Sequence, residues 1–110
     1  MKHTLDTPTK TLKIEVPGDI LSTNAETTRK EFFGILEAET VARSPWERCV
    51  IDLRNAKMID SVGLNLLVSV IKFLKARNAT IVAEITSTSV QRALLFTRLN
   101  TQMEVQLAAA

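Results

Sequence analysis

The stretch that most constrains the fold is a short apolar run, a brief polar connection and a long apolar segment, in that order. The run, residues 48–53, is nearly continuously apolar and predicts a central strand with helices covering both of its faces. The long segment, residues 61–77, is apolar around most of a helix and leaves one polar stripe at helical spacing. That stripe consists of Ser61, Asn65, Ser69 and Lys72. This order places Asp60 and Ser61 at the carboxyl end of a predicted parallel strand, where open α/β sheets usually form their binding surfaces.

Strands and helices alternate along the rest of the chain. We expect further strands at residues 11–16, 80–85 and 103–107, and further helices at residues 23–41 and 87–99. Residues 1–10 are polar and contain Pro8, which indicates a loose arm that holds at most one edge strand. The alternation predicts a single α/β domain over residues 1–110, with a mixed, largely parallel sheet of about four or five strands flanked by helices.

Local chemistry predicts several details of these elements. The spacing of Thr23 and Glu26 fits a capping box at the start of the first helix. Asn78 is a candidate for the left-handed position after the central helix, and Cys49 is expected to be a small buried hydrophobe. Trp46 either covers the core from its loop or forms a partner contact. In the last helix, we expect Val90, Ala93, Leu94 and Leu95 to face the core and Arg92 and Arg98 to lie outside.

Composition excludes several classes of function. The net charge of +2 is too small to indicate binding to nucleic acid or to an anionic membrane. A single cysteine excludes an internal disulfide and favours a reducing compartment. No apolar run reaches the roughly 18 residues of a membrane span, and residues 1–6 lack the apolar segment of a signal peptide. We therefore expect a cytoplasmic protein.

The residues also offer little for catalysis. The sole histidine and the sole cysteine, His3 and Cys49, have no metal-ligand spacing, and the three glycines are too far apart to cradle a phosphate. Residues 60–63 do not form a nucleophile elbow. We therefore predict a protein that is not an enzyme and that uses no metal or cofactor. Taken alone, Ser61 at a helix start is most simply an N-cap.

One motif changes this interpretation. Residues 50–53 read Val-Ile-Asp-Leu, and residues 59–64 read Ile-Asp-Ser-Val-Gly-Leu before an apolar helix. This arrangement resembles the anti-sigma-factor antagonist (STAS) family, whose signature is an apolar strand ending in Asp-Leu followed by Asp-Ser-x-Gly-Leu. The resemblance covers roughly residues 11–107.

The resemblance implies a bacterial partner-switching phosphoprotein that regulates transcription by signal transduction. The family's phosphorylated serine matches Ser61, which a cognate anti-sigma factor that is also an ATP-dependent serine kinase would modify. The unphosphorylated form would bind that kinase and release its client, and a serine phosphatase would restore it. The residues expected to contact the partner are Asp60, Ser61, Val62, Gly63, Asn65, Ser69, Asp19 and Ser22. The alternatives are a non-phosphorylated STAS module for docking, scaffolding or sensing, and a small α/β enzyme.

Two segments depart from the family pattern. Members often carry Leu-Asp shortly after the glycine that matches Gly18, whereas residues 19–22 here read Asp-Ile-Leu-Ser. Members also often have Thr-Gly-Leu after the third helix, where residues 97–99 here read Thr-Arg-Leu. These differences leave the fold prediction intact and bear on the identity of the partner.

Overall fold

A five-stranded sheet with three α-helices forms the computed structural model, which describes residues 1–42 and 45–108. The sheet order is β1-β2-β3-β4-β5, with β1 antiparallel to β2 and all other neighbours parallel. This confirms the predicted α/β fold and makes residues 2–6 an edge strand. The elements are β1 (Lys2–Asp6), β2 (Thr11–Glu15), α1 (Ala25–Val41), β3 (Arg48–Leu53), α2 (Ser61–Ala76), β4 (Thr80–Ile85), α3 (Thr88–Phe96), a 3-10 turn (Leu99–Thr101) and β5 (Glu104–Leu107).

The helices lie on one face of this sheet. Parallel crossovers are almost always right-handed, so strands arranged in chain order carry all their connecting helices on the same side. The burial pattern agrees, because alternate strand residues join the helices in one core. The strand residues of that core include Leu12, Ile14, Cys49, Ile51, Leu53, Ile81, Ala83 and Ile85.

The expectation that helices cover both faces of β3 is wrong. Its second face carries Asp52, which is only 4% exposed. Arg54 donates to both carboxylate oxygens of Asp52, at 3.0 and 2.8 Å, and the Nζ of Lys13 lies 3.8 Å from Asp52 and 3.4 Å from Glu84. Burial acts to raise the pKa of Asp52, but the hydrogen bonds and charge of Arg54 and the charge of Lys13 outweigh it and lower that pKa. Ion-paired side chains therefore cover this face of β3, whereas helices cover the other face.

The predicted capping box of α1 is also wrong. The N-cap is Asn24, and its side chain makes no capping bond to the helix. Instead, its Oδ1 accepts the N–H of Leu21 at 2.9 Å and its Nδ2 donates to the carbonyl of Asp19 at 2.9 Å. Thr23 is exposed one residue before this N-cap. The amide of Asn24 stabilises the loop that precedes the helix, and this role displaces the pair predicted from the spacing.

Most other local predictions are confirmed. Trp46 is buried under the guanidinium of Arg77, which lies 3.8 Å from the ring centre, so this residue covers the core. Residues 43 and 44 of the same predicted loop lie outside the described residues. Cys49 is buried, and burial raises the pKa of its thiol to about 12. Asn78 adopts the expected left-handed conformation, with φ 62°.

The end of α3 differs from the prediction. Val90 and Leu94 are buried and Ala93 is half-buried, as expected, but Leu95 is 51% exposed. The helix stops at Phe96 rather than Leu99 because the backbone turns left-handed at Arg98, with φ 61°. Arg92 and Arg98 are exposed, as predicted.

Candidate functional site

Two loops meet at the carboxyl edge of the sheet and hold the start of α2. One loop, residues 16–24, follows β2, and the other, residues 54–60, follows β3. They join in a parallel bridge between Ile20 and Ile59. In this bridge, Ile20 donates to the carbonyl of Met58 at 3.3 Å and accepts the N–H of Asp60 at 3.2 Å. The site is therefore assembled from segments separated by nearly forty residues.

Two carboxylates fasten these loops together. Asp19 Oδ1 accepts the N–H groups of Lys57 and Met58, at 2.7 and 3.1 Å. In the opposite direction, Asp60 Oδ2 accepts the N–H of Ser22 at 2.7 Å. Each loop therefore provides an acid that binds the backbone of the other. This reciprocal arrangement fixes the position of the residue that follows Asp60.

The residue that follows is Ser61, the first residue of α2. The N-cap is Asp60, because its Oδ1 accepts the N–H of Gly63 at 2.9 Å. The simple interpretation of Ser61 as the N-cap is therefore wrong. Ser61 is exposed, and within residues 1–42 and 45–108 its hydroxyl makes no hydrogen bond. The hydroxyl is thus available to another molecule.

Gly63 is buried beneath this surface. A Cβ at this position would collide with the carbonyl oxygen of Ile20 and would lie 2.8 Å from Cγ2 of Ile59. The absence of a side chain lets the first turn of α2 approach the bridge between the two loops. Gly63 therefore positions Ser61 and has no exposed surface of its own for a partner to contact.

The start of α2 also has a defined electrostatic environment. The N–H of Gly63 and then the N–H of Ser22 lower the pKa of Asp60, so this residue is a carboxylate near neutral pH. The positive end of the helix dipole lies at the same helix start. Ser61 is therefore placed between a fixed negative charge and a helix terminus that attracts negative charge.

The remaining residues that are predicted to contact a partner differ in how exposed they are. Ser22, Val62 and Asn65 are exposed, and Asp19 is half-buried by its bonds to the neighbouring loop. Ser69 is half-buried, and its hydroxyl donates to the carbonyl of Asn65 at 3.2 Å. The structure thus brings these residues to one end and one side of α2.

Sequence reasoning missed three residues on this surface. Met58 is 54% exposed and lies two residues before Asp60 in the same loop. Glu26 and Arg29 of α1 line a groove of about 320 Å³ with Ser22, Val62 and Asn65. The packing of α1 against α2 creates this groove, and no local pattern in the sequence indicates which face of α1 takes part.

Neither metal chemistry nor a membrane span is indicated in the described part of the chain. There, no three His, Cys, Asp or Glu side chains are grouped so that they could hold a metal ion. No helix among the same residues is long and apolar enough to cross a membrane.

The five-stranded mixed sheet and its three helices are those of a STAS domain. The sequence profile of that family matches residues 3–108, which is nearly the whole chain. The protein therefore belongs to the STAS domain family. No curated protein matches it in sequence.

Solved structures with this fold include several anti-sigma factor antagonists. One, from Mycobacterium paratuberculosis, has a TM-score of 0.74 at 20% identity over 97% of this chain and 86% of its own. A Thermotoga maritima protein described as a proposed anti-sigma factor antagonist has a TM-score of 0.78 at 16% identity, with the same coverage. The antagonist SpoIIAA in its unphosphorylated form has a TM-score of 0.61 at 14% identity, over 99% of this chain and 87% of its own. At these identities the similarity establishes the shared fold.

Proposed function

We propose that this protein is an anti-sigma-factor antagonist in a partner-switching pathway and that phosphorylation of Ser61 abolishes its binding to an anti-sigma factor. The observation that carries the proposal is that two neighbouring residues at the start of α2 have different roles. Asp60 caps the helix, while the adjacent serine hydroxyl is exposed and has no partner in the described structure. The names of the structurally similar proteins support the same general role.

The anti-sigma factor would act as the serine kinase. In this step, the Ser61 oxygen forms a bond to the γ-phosphorus of ATP, the bond to the β-phosphate oxygen breaks, and ADP leaves. A base on the kinase takes the hydroxyl proton. A separate phosphatase would hydrolyse the phosphoserine and restore the hydroxyl. The exposure of Ser61 supports access by both enzymes, since no part of the described chain covers it.

The effect of the phosphate would be local. It adds about −1.5 to −2 charges beside the carboxylate of Asp60. The positive end of the α2 dipole favours this charge within the fold. A partner that docks over the same surface would have to desolvate the phosphate and the carboxylate together. Because the Ser61 hydroxyl makes no structural bond, binding would be lost by charge and bulk without refolding.

The contact surface of the unphosphorylated form is centred on Ser61. Ser22, Val62 and Asn65 would meet the partner directly, since all three are exposed. Asp60, Asp19 and Gly63 hold this surface in place through their contacts between the loops. Ser69 extends it along α2 by one turn beyond Asn65.

The experiment is intact-mass analysis after incubation with ATP and a lysate of the source bacterium. We expect wild-type protein to gain one phosphoryl group and Ser61→Ala to gain none. Ser69→Ala is the matched control, because it removes another hydroxyl of α2 and should be phosphorylated like wild type. The isolated phosphoprotein should then fail to bind the purified kinase that the unmodified form binds.

Two results would contradict the proposal. Equal affinity of the phosphorylated and unmodified forms for the kinase would show that the phosphate is not a switch. No mass gain with a demonstrably active kinase would instead favour a non-phosphorylated STAS docking module.

A further inference from the structure

An open apolar groove lies between α2 and α3, beyond the surface around Ser61. It has a volume of about 700 Å³ and is lined by Leu64 of α2 and by five residues at the end of α3 and just after it: Arg92, Ala93, Leu95, Phe96 and Thr97. Phe96 is 91% exposed at its edge, next to the half-exposed Leu95. An aromatic side chain this exposed gains nothing from the fold of the described chain. Its burial would strengthen an interaction with another molecule.

Through Thr97, which lines both, this groove adjoins a second, cationic section along α2. This second section, about 470 Å³, is lined by Val68, Lys72 and Lys75 on one side and by Thr97 and Arg98 on the other. Arg92 adds a fourth cation in the first section. No carboxylate lines either section in the described structure.

These four cations also lack ionic partners. Some basic side chains elsewhere in the described residues pair with acids, as Arg54 does with Asp52 and Lys10 with Glu47, whereas others, such as Lys30, do not. None of Lys72, Lys75, Arg92 and Arg98 makes such a pair within residues 1–42 and 45–108. The groove therefore has an unbalanced positive charge beside an unsatisfied apolar surface.

The backbone at Arg98 adds a separate observation. This residue is left-handed, with φ 61° and ψ 20°, a conformation that glycine adopts at far lower energy than arginine. The chain nevertheless carries an arginine here, and that arginine lines the cationic section of the groove. Strain of this kind is more often retained where a side chain has a task.

We propose that the α2–α3 groove docks an acidic, amphipathic helix of a protein partner. The apolar side of that helix would cover Phe96, Leu95 and Leu64, and its carboxylates would pair with the four cations. The lining residues of α2 run from Leu64 to Lys75, about 17 Å along the helix axis, which matches roughly three turns of a docked helix. The aliphatic lining beside Phe96 favours a protein over a nucleic acid as the occupant.

This surface is distinct from the proposed phosphorylation switch. Leu64 lies one turn after Ser61 on α2, so the groove begins beside the Ser61 surface and leads away from it. Docking in the groove requires no phosphate and involves no hydroxyl of Ser61. A partner that used both surfaces would gain affinity from the groove and regulation from the serine.

The test uses a fluorescein-labelled synthetic peptide with leucines at helical spacing and glutamates elsewhere, followed by fluorescence anisotropy. We expect saturable binding that Phe96→Ser and Lys72→Glu each weaken about fivefold or more. Lys30→Glu, at an exposed position of α1, is the matched charge control and should bind like wild type. The assay contains neither kinase nor ATP, so its result is independent of the phosphorylation proposal.

Three outcomes would overturn the proposal. One is the absence of saturable binding to the acidic peptide. Another is equal or tighter binding of a peptide in which every glutamate is replaced by lysine, or of single-stranded DNA. The third is unchanged affinity in both Phe96→Ser and Lys72→Glu when circular dichroism shows that both variants are folded.

Discussion

The carboxylate of Asp60 accepts the N–H of Gly63 at 2.9 Å, while its second oxygen accepts the N–H of Ser22 at 2.7 Å. One side chain thus caps α2 and ties the loop after β2 to that helix. This leaves the hydroxyl of Ser61 without a structural task. The neighbouring acid and serine are therefore expected to respond very differently to substitution.

Ser61→Ala should leave the free energy of unfolding within about 0.5 kcal/mol of wild type, because it removes no hydrogen bond and lies at an exposed position. Asp60→Ala should destabilise the protein clearly more, since it leaves two backbone N–H groups without their acceptor. Urea denaturation measures the change in the free energy of unfolding for both variants. Equal losses in the two variants would show that the serine shares the capping role.

Gly63→Ala should destabilise the fold by about 2 kcal/mol or more, because the added methyl group overpacks the contact with Ile20 and Ile59. Gly34→Ala is the matched control in the middle of α1, where a Cβ meets nothing within 4 Å. That control should stabilise the protein by about 1 kcal/mol through helix propensity. The two changes in thermal unfolding should have opposite signs, and the same sign for both would contradict the packing described here.

Acid should weaken the protein partly through Asp60. Its pKa is lowered in the folded state by the N–H groups of Gly63 and Ser22, so its contribution to stability is present above the unfolded pKa of about 3.9 and is lost as pH falls through the folded value. Asp60→Asn keeps an acceptor for the cap but removes the titration. Urea unfolding at a series of acidic pH values should therefore show a shallower pH dependence in this variant than in wild type. Asp52 supplies the slope that remains, since its pKa is also lowered.

Arg98→Gly should raise stability by about 1 kcal/mol, because glycine adopts the left-handed backbone without the steric conflict of a Cβ. Asn78→Gly is the matched control at the other left-handed helix end, where asparagine already tolerates φ 62°. The control should change stability less than Arg98→Gly in thermal unfolding. A loss of stability in Arg98→Gly would show that the arginine makes a contact that offsets its strain.

The sequence predicted the sheet well because its strongest signals are local. The apolar run at residues 48–53, the stripe on α2 and the left-handed Asn78 each depend on spacing along one segment, and the structure confirms them. The capping box of α1 failed because the loop before the helix recruits Asn24. The second face of β3 was misjudged because Lys13 of the neighbouring β2 and Arg54, just after β3, pair with the carboxylate of Asp52.

The candidate site was predicted in part. The resemblance identified Ser61, but the sequence alone assigned it the cap that Asp60 provides. The bonds of Asp19 to residues 57 and 58 span nearly forty positions and leave no pattern in either segment. The same is true of the groove beside Phe96, since the prediction that Leu95 faces the core rested on a helix that ends three residues later than the one that forms.

The order of the strands in the sheet also determines how the chain can fold as it is made. Each parallel strand pairs with the strand synthesised just before it, so every new strand finds its hydrogen-bonding edge already exposed. Pairing between consecutive strands avoids the still longer loop closures that a shuffled strand order would require, and it allows the sheet to grow from the N-terminal end. Growth of this kind leaves β5 as the final addition, and the groove bordered by α3 is among the last surfaces to be completed.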